Sequence, residues 1–185
     1  MPKQPTTLQS PSPTEHSLQF VCASPEHLQP LASMLAGMLR AGDVLLLFGP
    51  LGAGKTTFTQ VLARELGVGE EQYVSSPSFA LLHEYQGRLP IAHMDLYRLA
   101  DEDDVEAAGL VDYLGQGAIS IVEWPERLGA LTPEDRLDIY LEPIDATRRR
   151  LVLVPHGREW QERLARLGAQ LAGIAGPDGQ APCSK

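Results

Sequence analysis

The chain has 185 residues, of which 43% are hydrophobic and 21% charged, a balance typical of one globular domain. No apolar run approaches the roughly eighteen residues of a membrane span, and residues 1–17 lack the apolar core of a signal peptide, so we expect a cytoplasmic protein. The formal net charge of −9 argues against a broad basic surface that grips nucleic acid directly.

Both ends of the chain have compositions that disfavour a packed core. Residues 1–16 are rich in Pro, Ser, Thr and Gln, and residues 172–185 are similar in character. Such segments cannot bury enough apolar surface to offset the entropy of ordering them. We therefore expect a disordered tail on each side of a single domain that covers residues 17–171.

Strands and helices alternate along the first half of this domain. Ser24 and the proline after it resemble a helix start, and Gly67 is a suitable helix end. The run before the glycine-rich turn is continuously apolar, as in a buried parallel strand. The predicted elements are a strand at Leu18–Cys22, a helix from Ser24 to about Arg40, a strand at Asp43–Phe48 and a helix at Thr56–Leu66.

The second half contains a hairpin and then further alternation. The predicted elements are hairpin strands at Phe79–Tyr85 and Leu89–Met94, short helices at Glu102–Ala108 and Leu110–Leu114, strands at Ala118–Val122, Arg136–Leu141 and Arg150–Val154, and a helix at Arg158–Leu171. This order predicts an α/β fold of the P-loop NTPase kind: a mainly parallel sheet with an antiparallel hairpin and helices on both faces.

A glycine-rich segment between the second predicted strand and the second predicted helix matches the Walker A pattern at every specified position. Its glycines let backbone N–H groups curl around phosphates, and the following helix N-terminus favours negative charge. Lys55 should reach the β- and γ-phosphates, and the Thr56 hydroxyl should bind magnesium (Mg2+). The predicted nucleotide-binding residues are Gly49, Leu51, Gly52, Ala53, Gly54, Lys55, Thr56 and Thr57.

Lysine usage also sets Lys55 apart. The chain has twelve arginines and three lysines, and the other two lysines lie near its ends. A position that requires a compact ammonium would keep lysine where arginine is otherwise used, and chance placement is the alternative.

Two acidic residues follow predicted strands, where a P-loop enzyme needs carboxylates to hold magnesium. Asp95 ends the second hairpin strand, and Glu123 ends the strand at Ala118–Val122. The carboxyl ends of parallel strands share the ligand-binding edge of a sheet, so both are candidate catalytic and metal residues. Which of them positions the attacking water stays open. His93, two residues before Asp95, should share its face of the strand and is a further candidate.

Three kinds of P-loop protein remain. The chain contains no asparagine, so the guanine-reading Asn-Lys-x-Asp motif of ordinary GTPases is absent. An ATPase, a small-molecule or nucleoside kinase, and a nucleotide-binding scaffold without turnover all fit the Walker A segment. The missing arginine-rich lid disfavours the kinase, and the paired carboxylates disfavour the scaffold.

The motifs, taken together, resemble those of the TsaE family (also called YjeE), bacterial ATPases of tRNA modification. The resemblance covers about residues 18–156, and the His-x-Asp-Leu-Tyr-Arg and Val-Glu-Trp-Pro segments make it specific. Family members usually carry threonine at the position of Ser78, where the hydroxyl is kept. The matching segments are Leu51–Thr57, Ser76–Phe79, His93–Leu99 and Val122–Pro125.

The resemblance implies a function and roles for single residues. It implies an ATPase that works with the TsaB and TsaD proteins in making threonylcarbamoyladenosine (t6A), where ATP hydrolysis resets the TsaD-containing complex and the other subunits hold the tRNA. Slow turnover by the chain alone is part of that picture. Position by position, the implied roles are magnesium ligands at Thr56 and Glu123, a Walker B-like acid at Asp95, a switch segment at Ser76, Pro77 and Ser78, and a place near the nucleotide for Trp124.

Overall fold

The computed structural model describes residues 16–174. The predicted tails at 1–16 and 172–185 lie almost wholly outside this range, although the last helix runs on to Ile174. No helix within 16–174 is long and apolar enough to cross a membrane.

Within residues 16–174, seven strands form one sheet in the order β1-β7-β6-β2-β5-β4-β3. The strands β6, β2, β5 and β4 run parallel at its centre, while β3, β7 and β1 add antiparallel pairs at the two edges. The α/β class and the mainly parallel core are therefore confirmed. The strands are β1 (Leu18–Cys22), β2 (Val44–Phe48), β3 (Leu82–Gln86), β4 (Pro90–Asp95), β5 (Ile119–Glu123), β6 (Arg136–Pro143) and β7 (Arg149–His156).

Helices cover both faces of the sheet, as predicted. Because side chains alternate along a strand, Leu45 and Leu47 of β2 join one apolar core, and Val44, Leu46 and Phe48 join the other. The first core packs against α1, α2 and α4, and the second against α3 and two 3-10 segments. The helices are α1 (Gln29–Met38), α2 (Lys55–Glu65), α3 (Glu102–Ala107) and α4 (Arg158–Ile174), and the 3-10 segments are Pro25–Leu28, Leu110–Tyr113 and Pro125–Leu131.

The structure differs from the predicted elements in four places. Ser24 makes no side-chain cap and precedes a 3-10 turn, because the first α-helical turn starts only at Gln29, where Pro30 fits it. The strand expected from Phe79 begins at Leu82, since Leu81 has a positive φ of 66° that ends extended backbone. The two late strands pair as a second hairpin, β6–β7. A 3-10 segment at Pro125–Leu131 was not predicted.

The carboxyl ends of β2, β5 and β4 meet at one edge of the sheet. The register pairs Leu47 of β2 with Glu123 of β5, and Glu123 with Asp95 of β4. The loop after β2 leads directly into α2. The glycine-rich loop and both carboxylates therefore lie at the same edge.

Candidate nucleotide-binding site

The loop from Gly49 to Gly54 joins β2 to α2 through backbone conformations that favour glycine. Gly52 and Gly54 have φ values of 77° and 104°, and Gly54 is the N-cap of α2. The first N–H groups of a helix have no partner within the helix, so the N-terminus of α2 can donate to an anion. Leu51 lies exposed at the tip of the loop, Ala53 is buried beneath it, and Thr57 is half-buried in the first turn of α2.

Lys55 is held over this loop by three contacts. Its Nζ atom donates to the carbonyl of Gly49 at 2.8 Å and of Pro50 at 3.1 Å, and it lies 3.9 Å from the centre of the Trp124 ring. The side chain is only 4% exposed. Burial lowers the pKa of Lys55, and the carboxylates of Glu123, Glu126 and Asp95 oppose that shift. The ammonium therefore lies against the loop, where backbone carbonyls and the Trp124 ring replace much of its solvation.

Glu123 joins the end of β5 to α2. Its Oε1 atom accepts a hydrogen bond from Thr56 Oγ1 at 2.8 Å and lies 3.0 Å from His93 Nε2. Glu123 is 3% exposed and His93 is fully buried. His93 shares a face of β4 with Asp95, as expected, yet it contacts the glutamate of the neighbouring strand. Its position orients Glu123 toward Thr56.

Asp95 is tied to the segment that the sequence singles out as a switch. Its Oδ2 atom accepts from Ser76 Oγ at 2.7 Å, and its Oδ1 atom accepts from the Tyr97 N–H at 3.0 Å. Pro77 is buried and its carbonyl accepts from the Leu81 N–H, so the segment forms a turn there. Ser78 is half-buried and has no hydrogen bond to Asp95 within the described residues. Of Ser76 and Ser78, Ser76 is therefore the residue whose hydroxyl is hydrogen-bonded to Asp95.

Trp124 and Glu126 complete the surroundings of Lys55. Trp124 has a positive φ of 59°, rare for a bulky residue, and its ring packs on Tyr97 with centroids 4.9 Å apart. Burial raises the pKa of Glu126, and its Oε2 atom has no hydrogen-bond partner in the described chain. Sequence reasoning missed Glu126, and its place directly after the Trp-Pro pair was the one available signal.

The oxygen atoms of Thr56, Glu123 and Asp95 suit a hard divalent cation. Magnesium is usually held by one or two carboxylates, with waters and substrate phosphates filling the remaining positions. Within residues 16–174 no three His, Cys, Asp or Glu side chains form a complete metal cage. A site with two carboxylates and a hydroxyl beside a phosphate-binding loop therefore fits magnesium that arrives with a nucleotide.

Comparisons with known proteins show which family the chain resembles. Residues 22–151 match the family model described as threonylcarbamoyl adenosine biosynthesis protein TsaE. The TsaE protein of Bacillus subtilis (strain 168) is 36% identical over 145 residues, which is 78% of this chain and 89% of that protein. The TsaE protein of Treponema pallidum is 36% identical over 121 residues, 65% of this chain and 88% of that one.

The crystal structure of Bacillus subtilis YdiB shows the same fold. It superposes with a TM-score of 0.71 at 31% sequence identity, and the match covers 83% of this chain and 95% of that one. The fold, the order of the motifs and the family model agree, and we conclude that the chain belongs to the TsaE family.

Proposed function

We propose that this protein binds and hydrolyses ATP with magnesium and thereby supports t6A modification of tRNA. One observation carries the proposal: the Thr56 hydroxyl at the start of α2 is hydrogen-bonded to the buried carboxylate of Glu123 at 2.8 Å. A P-loop hydroxyl and a strand-end carboxylate at that distance are the two protein groups that hold magnesium against a bound triphosphate in P-loop NTPases.

In this proposal, separate residues of the site bind phosphate, hold magnesium and sense the γ-phosphate. Lys55 exchanges the carbonyls of Gly49 and Pro50 for the β- and γ-phosphates, which the loop and the N-terminus of α2 surround. Thr56 and Glu123 would hold magnesium, with the carboxylate of Asp95 beside them on the neighbouring strand. The ion, when bound, neutralises charge that develops on the transferred phosphoryl group. Ser76, hydrogen-bonded to Asp95, lets the switch segment respond to the γ-phosphate.

The partners in this proposal are TsaB and TsaD. Relatives that are 36% identical bear the name tRNA threonylcarbamoyladenosine biosynthesis protein. The net charge of −9 suits contact with partner proteins better than direct contact with tRNA, which the other subunits would hold. The chain then acts as a conformational switch that is powered by ATP and resets the complex.

ATP hydrolysis by the purified chain, with and without TsaB and TsaD, tests this function. We expect slow turnover alone and strong stimulation by the partners. Lys55→Ala should reduce the stimulated rate by about a hundredfold or more, because it removes a charge that stabilises the transition state. Arg64→Ala, an exposed cation on the same helix, is the matched control and should leave the rate unchanged.

Two results would contradict the proposal. Phosphate transfer to an added small-molecule or nucleoside acceptor would favour the kinase alternative. Tight ATP binding without turnover, even in the presence of both partners, would favour a scaffold.

A further inference from the structure

The hydroxyl of Tyr85 lies at a junction between the edge strand β3 and the segment that precedes Ser76. It is 3.2 Å from the Ser75 N–H nitrogen, 3.3 Å from the Ser75 carbonyl and 3.2 Å from His83 Nδ1. The ring belongs to the core beneath α2, and the residue is only 5% exposed. One buried side chain thus contacts both backbone polar groups of Ser75.

The hydrogen-bonding capacities of these groups determine where each proton lies. The Ser75 N–H can only donate and its carbonyl can only accept, so the Tyr85 hydroxyl accepts from the first and donates to the second. Because the single hydroxyl proton is then used for the Ser75 carbonyl, we assign His83 Nδ1 as the donor in the third contact. In this assignment His83 carries its proton on Nδ1, and the Tyr85 hydroxyl donates one hydrogen bond and accepts two.

Further bonds hold the chain on each side of Ser75. The Val74 carbonyl accepts from the Gln60 side chain of α2 at 2.9 Å, and the Ser76 hydroxyl donates to Asp95 at 2.7 Å. At the far end of the turn, the Leu81 carbonyl accepts from the Asp95 N–H at 3.1 Å. The segment therefore arches between two anchored ends, and Tyr85 holds the end that is adjacent to Ser76.

We propose that Tyr85 is a positioning residue, whose hydroxyl fixes Ser75 so that the Ser76 hydroxyl stays on Asp95 and presents that carboxylate to the magnesium site. This inference rests on the proposed function. In this role Tyr85 acts through the backbone of Ser75 and not as a ligand of nucleotide or metal. The partner of a metal-site carboxylate affects metal affinity by orienting it, and such effects reach about ten- to a hundredfold.

Tyr85→Phe in the full-length chain tests the proposal, since it keeps the ring in the core and removes only the hydroxyl. We expect the magnesium concentration for half-maximal ATP turnover, measured with TsaB and TsaD, to rise by about tenfold. The turnover rate should fall while KM for ATP changes little, because the groups that bind phosphate are untouched. Amide hydrogen exchange at Ser75 and Ser76 should become faster, because the Ser75 N–H loses its acceptor. Tyr73→Phe, at an exposed tyrosine, is the control for the same chemical change.

The readouts separate this inference from the proposed function. If Tyr85→Phe accelerates exchange at Ser75 and Ser76 but leaves the magnesium dependence and turnover at wild-type values, the positioning role is overturned. If exchange is unchanged, or the nitrogen chemical shifts of His83 show its proton on Nε2, the hydrogen-bond arrangement itself is overturned. Amide exchange and the His83 chemical shifts can be measured without ATP turnover. A wild-type chain without ATPase activity would therefore contradict the proposed function, while these two measurements would still test the hydrogen bonds of Tyr85.

Discussion

At the scale of single residues, the two carboxylates of the site differ in their hydrogen-bond partners. Glu123 Oε1 lies within hydrogen-bonding distance of both Thr56 and His93, whereas Asp95 is bonded to Ser76. A carboxylate that already accepts from the P-loop hydroxyl is the one that magnesium can share with Thr56. Glu123 is therefore the carboxylate on which magnesium-dependent binding should depend most.

Glu123→Gln is the residue-scale prediction. The amide keeps the side chain's size but removes the charge that attracts magnesium, so magnesium-dependent ATP affinity should fall by about tenfold or more. ATP affinity without magnesium should not fall, because a negative charge near the phosphates is removed. Equilibrium ATP binding over a series of magnesium concentrations measures both effects. Glu134→Gln, the same change at an exposed glutamate, should alter neither, and equal magnesium dependence in both variants would refute the ligand assignment.

At the scale of elements, the β2–α2 unit depends on close backbone approach at Gly49. A Cβ atom placed there would lie 2.5 Å from the carbonyl oxygen of Leu141 on β6, and Gly49 has a φ of 146°. Gly52, at the loop tip, also has a positive φ, but a Cβ there would meet nothing within 4 Å. Both glycines have a backbone conformation that is strained for other residues, but only at Gly49 would a side chain also clash with a neighbouring strand.

Gly49→Ala should therefore destabilise the fold more than Gly52→Ala. Backbone strain and overpacking each cost about 1–3 kcal/mol, and Gly49→Ala incurs both while Gly52→Ala incurs strain alone. Chemical denaturation of the two variants and the wild type gives the difference in unfolding free energy. Equal losses in the two variants would show that β6 does not constrain the loop.

At the scale of the whole molecule, one buried ion pair joins distant parts of the chain. The guanidinium of Arg163 on α4 donates to both oxygens of Asp43, before β2, at 2.6 and 2.8 Å. Arg163 is 5% exposed and its guanidinium lies 3.9 Å from the Trp160 ring centre. The pair fixes α4 against the start of the strand that carries the P-loop.

Arg163→Ala should destabilise the protein strongly. It leaves the buried Asp43 carboxylate with the Arg40 N–H as its remaining described hydrogen-bond donor, and removing one partner of a buried pair costs about 3–5 kcal/mol. Arg158→Ala removes an exposed arginine of the same helix, which pairs with Glu162, and should change stability by no more than about 0.5 kcal/mol. Thermal or chemical unfolding distinguishes them. A loss below about 1 kcal/mol for Arg163→Ala would mean that Asp43 regains solvent.

The sequence by itself determined the features that depend on local chemistry. A buried apolar strand, a glycine-rich turn and a helix predict the β2–loop–α2 unit, because glycine conformations and helix-end N–H groups act within a few residues. The same reasoning places Asp95 and Glu123 at strand ends. Their motifs were specific enough to indicate the TsaE family, which the comparisons confirm.

Only the tertiary structure decided which of these groups meet. The strand order places β5 between β2 and β4, so Thr56 meets Glu123 across 67 positions and Arg163 meets Asp43 across 120. The surroundings of Glu126 and the contact of Tyr85 with Ser75 are likewise set by packing. Such contacts depend on which faces of the helices and strands pack against each other. The local preferences of one residue carry no information about a partner from a distant part of the chain.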